Sequence, residues 1–285
     1  MAIGSLRLEY YLEIDCLRQV YGTKRDGEAS DAWYLHEYLA EIRQMRAAAR
    51  LGLDPDCFPR KEKYFLLYAL LQSMPVTRVT ELGSSLLEII DGLEATHALF
   101  GRERTPSEFP RYSFVGIEES EFLADVAQLL HPNHDIRVIP SAESIYATFP
   151  DGCGGIIYDR IVSSLAFSDV ESLVKFLKCF DAGILNLLTS RDETFVTNFF
   201  GGRFTYFSLQ DLDRLMGPSL FHLFGFQAPK HAELRATGRP VIEGFFFYGS
   251  DRHLEAFIQS CQEFGAIRRL FQEKCIAPKK ISALL

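Results

Sequence analysis

The sequence predicts an α/β protein with a doubly wound, mostly parallel sheet of seven strands behind an N-terminal helical lobe. Two observations support this fold class. The first part of the chain has helical periodicity and no convincing strand, whereas from Val76 short apolar runs alternate with helical segments of about a dozen residues. Such alternation is typical of parallel βαβ units, so we expect a lobe at 1–75 and the α/β domain at 76–285.

Two segments of the lobe have the spacing of helices. Within residues 31–51 apolar side chains recur every three or four positions, and residues 61–74 repeat the pattern before Pro75. We expect amphipathic helices that either cap a ligand site or form the contact of a homodimer.

The apolar runs of the α/β domain predict at least six strands. Their expected ranges are 78–82, 113–118, 135–140, 156–163, 183–189 and 241–248. Helical patterns lie between and after them at 86–100, 119–130, 142–148, 169–180, 208–216 and 251–274. An antiparallel hairpin that includes the final strand is expected to complete the sheet.

Composition excludes several classes of function. The formal net charge of −8 disfavours a nucleic-acid partner, which needs clustered Lys and Arg. The six cysteines form no C-x-x-C pair and the histidines no ligand spacing, so we expect no metal and a reduced, cytoplasmic protein. No apolar run is long enough to span a membrane.

Ligands of an open α/β sheet bind outside the carboxyl ends of its strands, so the residues that follow each strand matter most. The first strand is followed by Gly83, Ser84 and Ser85, which offer close backbone approach and hydroxyl donors at a helix N-terminus. The second strand ends in Glu118, whose carboxylate can accept both hydroxyls of a ribose or can instead complement a helix dipole. A dinucleotide fingerprint needs three glycines here, which disfavours a nicotinamide-dependent dehydrogenase.

A succession of motifs resembles the class I S-adenosylmethionine-dependent methyltransferases, which have a Rossmann-like fold. The motifs are VTELGSS, FVGIEES, IRVIPSAESI, YDRIVSSLAFSD and GILNLLTSR, and the likeness extends over residues 76–216. It implies S-adenosylmethionine as cofactor, with Glu118 on the ribose. The other cofactor-binding residues that it implies are Glu81, Gly83, Ser84, Ser85, Ser141, Ala142, Glu143 and Ser164.

The same resemblance places the fourth strand beside the sulfonium. Tyr158, Asp159 and Ser163 are therefore the candidate catalytic residues. For a small-molecule substrate the candidate contacts are Tyr11 and Tyr21 in the lobe and Asn186 and Arg191 around the fifth strand.

Three readings remain for the function. The first is a small-molecule methyltransferase. The second is an enzyme that consumes the cofactor itself, of the azetidine-2-carboxylate synthase type, because the first loop carries bulkier side chains than the family commonly shows. The third is a non-catalytic cofactor-binding partner subunit.

Overall fold

The structure is a computed structural model. It describes residues 61–74, 78–84, 87–100, 112–139, 155–159, 167–199, 202–226 and 241–285, together with Leu51. Among these residues no helix is long and apolar enough to cross a membrane.

A mixed sheet forms the centre of the described part of the chain. Its strands are β1 (Arg78–Leu82), β2 (Ser113–Glu118), β3 (Asp135–Val138), β4 (Ile156–Asp159), β5 (Ala182–Ser190), β6 (Phe195–Phe199), β7 (Gly202–Ser208), β8 (Leu220–Phe226), β9 (Val241–Tyr248) and β10 (Lys279–Lys280). The main order is β10-β8-β9-β5-β4-β1-β2-β3. Strands β1 to β5 are parallel to their neighbours in this series, and β9 is antiparallel to both β5 and β8.

The sheet confirms the predicted fold class at a coarse level, but its strand number differs from the prediction. Within the described residues it has ten strands, because a hairpin of β6 and β7 and the short β10 add to those predicted. In the hairpin, β7 pairs with Thr189 and Ser190 at the end of β5. No strand was predicted in this segment.

Helices cover both faces of the sheet. They are α1 (Lys61–Ser73), α2 (Glu88–Phe100), α3 (Glu121–Leu130), α4 (Val170–Leu177), α5 (Leu209–Met216), α6 (Asp251–Glu263) and α7 (Gly265–Glu273), followed by a 3₁₀ turn at Ile281–Ala283. One core cluster contains side chains of α1, α2, α6 and α7, and a second contains those of α4 and α5. Ser208 caps α5, its side chain accepting a hydrogen bond from the Asp211 backbone N–H.

The prediction of one terminal helix at 251–274 is wrong in one respect, because the segment forms two helices, α6 and α7, that are separated at Phe264. This residue has an extended backbone, with φ −103 and ψ 121. Its buried ring packs on Phe100 at 5.1 Å and on Tyr68 at 5.5 Å between centroids. Insertion of this ring between helices accounts for the break.

Helix α1 lies in the same core as the sheet. Every residue of 63–71 is buried, so the helix is enclosed rather than amphipathic as expected. It packs against α2 and α6. The rest of the lobe predicted at 1–75 lies outside the described residues except for Leu51.

Candidate functional site

The carboxyl ends of three adjacent strands meet at one edge of the sheet. Leu82 of β1 is in register with Ile117 of β2 on one side and with Asp159 of β4 on the other. The chain passes from β1 to β2 and β3 and then returns to β4 on the opposite side of β1. This reversal of strand order creates the crevice in which open α/β sheets bind ligands.

A tight turn follows β1 at this crevice. Gly83 has φ +65, a left-handed conformation that favours glycine. The turn brings the Ser84 N–H to the Ile117 carbonyl at 3.0 Å, and the Leu87 N–H donates to the Ser84 carbonyl at 2.8 Å. Helix α2 then begins at Glu88, so the turn connects the end of β1 to a helix N-terminus.

The side chain of Ser84 is enclosed in this turn. It is 0% exposed, and among the described residues its hydroxyl has no hydrogen-bond partner. It occupies space left by Gly116, where an added Cβ would lie 2.7 Å from the Ser84 Oγ. Leu87 has φ 54, which costs a non-glycine residue on the order of 1 kcal/mol. Strain and an unsatisfied hydroxyl therefore coincide in the loop between β1 and α2.

Glu118 ends β2 with a fixed carboxylate. Its Oε1 accepts backbone N–H groups from Glu119 at 2.9 Å and Ser120 at 3.1 Å. The backbone is fixed as well, since the Ile139 N–H donates to the Glu118 carbonyl at 2.8 Å. The side chain is buried, so its orientation is set by the protein rather than by solvent.

The structure describes some of the predicted site residues in full, some by their backbone alone and others not at all. Glu81, Gly83, Ser84 and Glu118 lie around the ends of β1 and β2. The structure describes the backbone of Tyr158 and Asp159 in β4, beside the end of β1. The predictions for Tyr11, Tyr21, Ser85, Ser141, Ala142, Glu143, Ser163 and Ser164 fall outside the described residues.

The two predicted substrate contacts of β5 are not brought together. Asn186 is buried within β5. Arg191 is 57% exposed, lies 3.6 Å from the Asp192 carboxylate and donates to the Leu285 carbonyl at 2.9 Å. Its guanidinium is thus engaged at the surface.

Comparison with known proteins gives structural likeness alone. No family model matches the chain, and no curated protein matches its sequence. The N-terminal domain of EvdMO1, crystallised in the presence of SAH and D-fucose, is 15% identical, with 66% of this chain and 83% of that chain covered at a TM-score of 0.41. The plantazolicin methyltransferase BamL, in complex with a triazolic desmethylPZN analog and SAH, is 12% identical over 92% and 93% of the two chains, at a TM-score of 0.40.

A third similar structure is the O-methyltransferase from a trans-AT PKS multienzyme of Brevibacillus brevis in complex with S-adenosyl-L-homocysteine. It is 10% identical, covers 81% of this chain and 93% of its own, and has a TM-score of 0.41. Likeness at this level assigns neither a ligand nor an activity to this chain.

A buried acidic residue that the sequence did not single out lies in β9, the antiparallel neighbour of β5. Glu243 of β9 is 4% exposed, and its Oε1 accepts a hydrogen bond from Asn186 Nδ2 at 3.2 Å. Burial raises the pKa of Tyr206 to about 12, and the negative charge of Glu243 adds to this rise. The only sequence signal was an acid inside the apolar run Val241–Tyr248, whose partner strand could not be known from sequence.

The hairpin of β6 and β7 brings aromatic side chains to the same edge. Pairing of β4 with β5 ends at Leu185, and β7 joins β5 at Thr189, beyond that end. Because β9 pairs with the other side of Thr189, β7 must lie on the side of β4. The rings of Phe195 and Tyr206 stack at 4.9 Å between centroids.

Proposed function

We propose that this chain is an S-adenosylmethionine-dependent methyltransferase that acts on a small molecule. The observation that carries the proposal is the Glu118 carboxylate, held by two backbone N–H groups at the end of β2 beside the Gly83 turn. An acid in this position of a doubly wound sheet suits the hydroxyls of a ribose. The motifs resembling methyltransferases run through the same strands.

The described residues fit a nucleoside ligand with an aminoacyl arm. Gly83 brings no side chain to its own position in the turn, and Ser84, the next residue, carries a buried hydroxyl. We assign the methionine arm to Glu81, Gly83, Ser84 and Ser85, and the ribose to Glu118. The region of the adenine is assigned to Ser141, Ala142 and Glu143.

The bound cofactor would supply a methyl group activated by the adjacent sulfonium. What the protein must add is alignment of the acceptor, exclusion of water and, where needed, a base. We assign alignment on the β4 side to Tyr158, Asp159, Ser163 and Ser164. The lobe predicted at 1–75, with Tyr11 and Tyr21, is proposed to cover the acceptor.

The acidic balance of the chain supports a small acceptor rather than a nucleic acid. A net charge of −8 would repel a phosphate backbone and has no such effect on a neutral or cationic metabolite. We also propose a cytoplasmic location, in keeping with the unpaired spacing of the cysteines.

The first test is cofactor binding by calorimetry. S-adenosylhomocysteine should bind the full chain, and Glu118→Ala should weaken this binding by about 1.5–3 kcal/mol, the scale of hydrogen bonds to a charged group. Glu118→Gln retains an oxygen for the Glu119 and Ser120 N–H groups. Its affinity for S-adenosylhomocysteine should lie between those of the wild type and Glu118→Ala. Glu119→Gln, an exposed change in the same turn, is the matched control and should leave affinity unchanged.

The products of S-adenosylmethionine incubated with the protein separate the three functions. Mass spectrometry should show stable cofactor until an acceptor is supplied. Formation of methylthioadenosine and a cyclised amino acid would show that the protein is the cyclase and not a methyltransferase. Binding without turnover of the cofactor or of any acceptor would leave a non-catalytic cofactor-binding partner subunit, and absence of binding by the wild type would overturn all three.

A further inference from the structure

Gly116 of β2 lies against the loop that connects β1 to α2. It precedes Glu118 by two residues, so the alternation of a strand places both on the same face of the sheet. No role was predicted for Gly116 from the sequence. A glycine inside a strand weakens that strand and often marks a place where another part of the chain must approach closely.

Both described ends of the loop pack on Gly116. A Cβ at this position would lie 2.7 Å from the Oγ of Ser84 and 3.0 Å from the Cδ2 of Leu87. Ser84 and Leu87 are each 0% exposed. The Ser84 hydroxyl has no hydrogen-bond partner among the described residues, so its contact with Gly116 is one of packing. The Ser84 side chain therefore fills the place that a side chain at position 116 would take.

Backbone hydrogen bonds connect this contact to the start of α2. The Ser84 carbonyl accepts the Leu87 N–H at 2.8 Å, and the Leu87 carbonyl accepts the Ile90 N–H at 3.0 Å. A displacement of Ser84 would therefore be passed on to the first turn of the helix. The Glu118 carboxylate is held separately, by the backbone N–H groups of the two residues that follow it. A larger residue at position 116 would thus move the loop relative to Glu118.

We infer that Gly116 is a positioning residue for the cofactor, which acts through Ser84 and need not touch the ligand itself. By receiving the Ser84 side chain, it sets the distance between the Gly83 turn and the Glu118 carboxylate. The inference rests on the proposed function, in which the turn holds the methionine arm and Glu118 holds the ribose. It follows that the contact between Gly116 and Ser84 governs recognition of the aminoacyl arm more than recognition of the nucleoside.

Two ligands that differ only in this arm test the inference. S-adenosylhomocysteine and 5′-methylthioadenosine share the nucleoside and the thioether, and the second has a methyl group in place of the aminoacyl arm. In calorimetric titrations of the full chain, Gly116→Ala should weaken S-adenosylhomocysteine by about tenfold or more, and methylthioadenosine by less than about threefold. A variant that was merely less folded would lose affinity for both ligands by the same factor, because each binds the folded state.

A second substitution should rescue the first. Ser84→Gly removes the Cβ and Oγ that the new methyl group of Gly116→Ala would meet. The double variant should therefore bind S-adenosylhomocysteine more tightly than Gly116→Ala alone, by about threefold or more. This comparison decides the matter where methylthioadenosine binds too weakly to be titrated.

Gly225→Ala is the matched control. Its Cβ would also meet a side-chain atom at 2.7 Å, the Cγ2 of Ile242, but Gly225 lies in β8, which β9, β5 and β4 separate from β1. The control should leave the affinity for both ligands unchanged. If Gly116→Ala fails to fold, Ser84→Thr crowds the same contact from the side of the loop and should show the same difference between the two ligands.

The outcomes separate the inference from the function on which it rests. A variant at position 116 that binds S-adenosylhomocysteine as tightly as the wild type, or that loses both ligands equally, overturns the positioning role. A double variant that binds no better than Gly116→Ala does so too. Failure of the wild type to bind S-adenosylhomocysteine overturns the proposed function instead, and is known from the first titration.

Discussion

His222 illustrates how burial sets the protonation of a single residue. Its ring lies 5.2 Å from that of Phe246, beside the bulge between His222 and Phe224. Its Nε2 is buried with no hydrogen-bond partner in the described part of the chain. Burial, together with the positive charge of Lys279, lowers the pKa of His222 to about 4. The residue is therefore neutral in the folded protein at neutral pH.

This shift predicts a loss of stability in mild acid. Above pH 6.5 the ring is neutral in both the folded and the unfolded chain, so His222 does not contribute to the pH dependence of the free energy of unfolding there. Between pH 6.5 and about 4 the unfolded chain binds a proton that the folded chain does not, so the free energy of unfolding falls as pH falls. Urea unfolding at a series of pH values should show this slope.

The matched variant is His222→Phe, which keeps an aromatic ring and removes the titration. Its slope between pH 6.5 and 4 should be smaller than that of the wild type. Some slope should remain, because burial also lowers the pKa values of His97 and His134. Equal slopes in the variant and the wild type would contradict the assignment.

At the scale of elements, the contact between α1 and α2 combines close packing with a buried ion pair. Lys63 Nζ lies 3.2 Å from Glu88 Oε1, and the two side chains are 5% and 2% exposed. Gly92 of α2 allows the ring of Tyr64 to pack against the helix, since a Cβ there would overlap that ring. Glu88 also begins α2 directly after the Gly83–Leu87 loop, so the ion pair fixes the helix end that follows this loop of the candidate site.

Removal of one partner of this pair should be severe. Lys63→Met leaves the Glu88 carboxylate buried without its cation and should lower the free energy of unfolding by about 3–5 kcal/mol. The double variant Lys63→Met with Glu88→Leu removes both charges and should recover most of the loss. Urea unfolding measures both, and a double variant as unstable as the single one would show that the ion pair itself is required.

What the sequence could predict at this scale depended on the range of the interactions. Strands β1 and β2 were located at their observed bounds because their apolar runs are local signals. Glu118 was predicted as a site residue for the same reason, because it is an acid at the end of such a run. The buried contact of Glu243 with Asn186 was not predicted, because it depends on β9 pairing with β5, a contact between distant parts of the chain.

The molecule as a whole brings both core clusters to the edge that carries the candidate site. The Gly83 turn joins Leu82 of one cluster to Leu87 of the other, so a ligand held there contacts the junction of the two faces. If the described domain unfolds cooperatively, binding at this edge stabilises both faces together. We therefore expect ligand binding to shift the unfolding of the whole domain rather than of one helix layer.

Thermal unfolding with S-adenosylhomocysteine tests this expectation. At 100 times its dissociation constant, a ligand that binds the folded state alone adds about 2.7 kcal/mol. For a chain of this size, that corresponds to an increase in Tm of about 4 °C. Calorimetric scans should show one transition that moves with ligand concentration, and Glu118→Ala at the same concentration should show a smaller shift. A stabilised first transition followed by an unmoved second one would show instead that the two faces unfold separately, with the ligand coupled to only one of them.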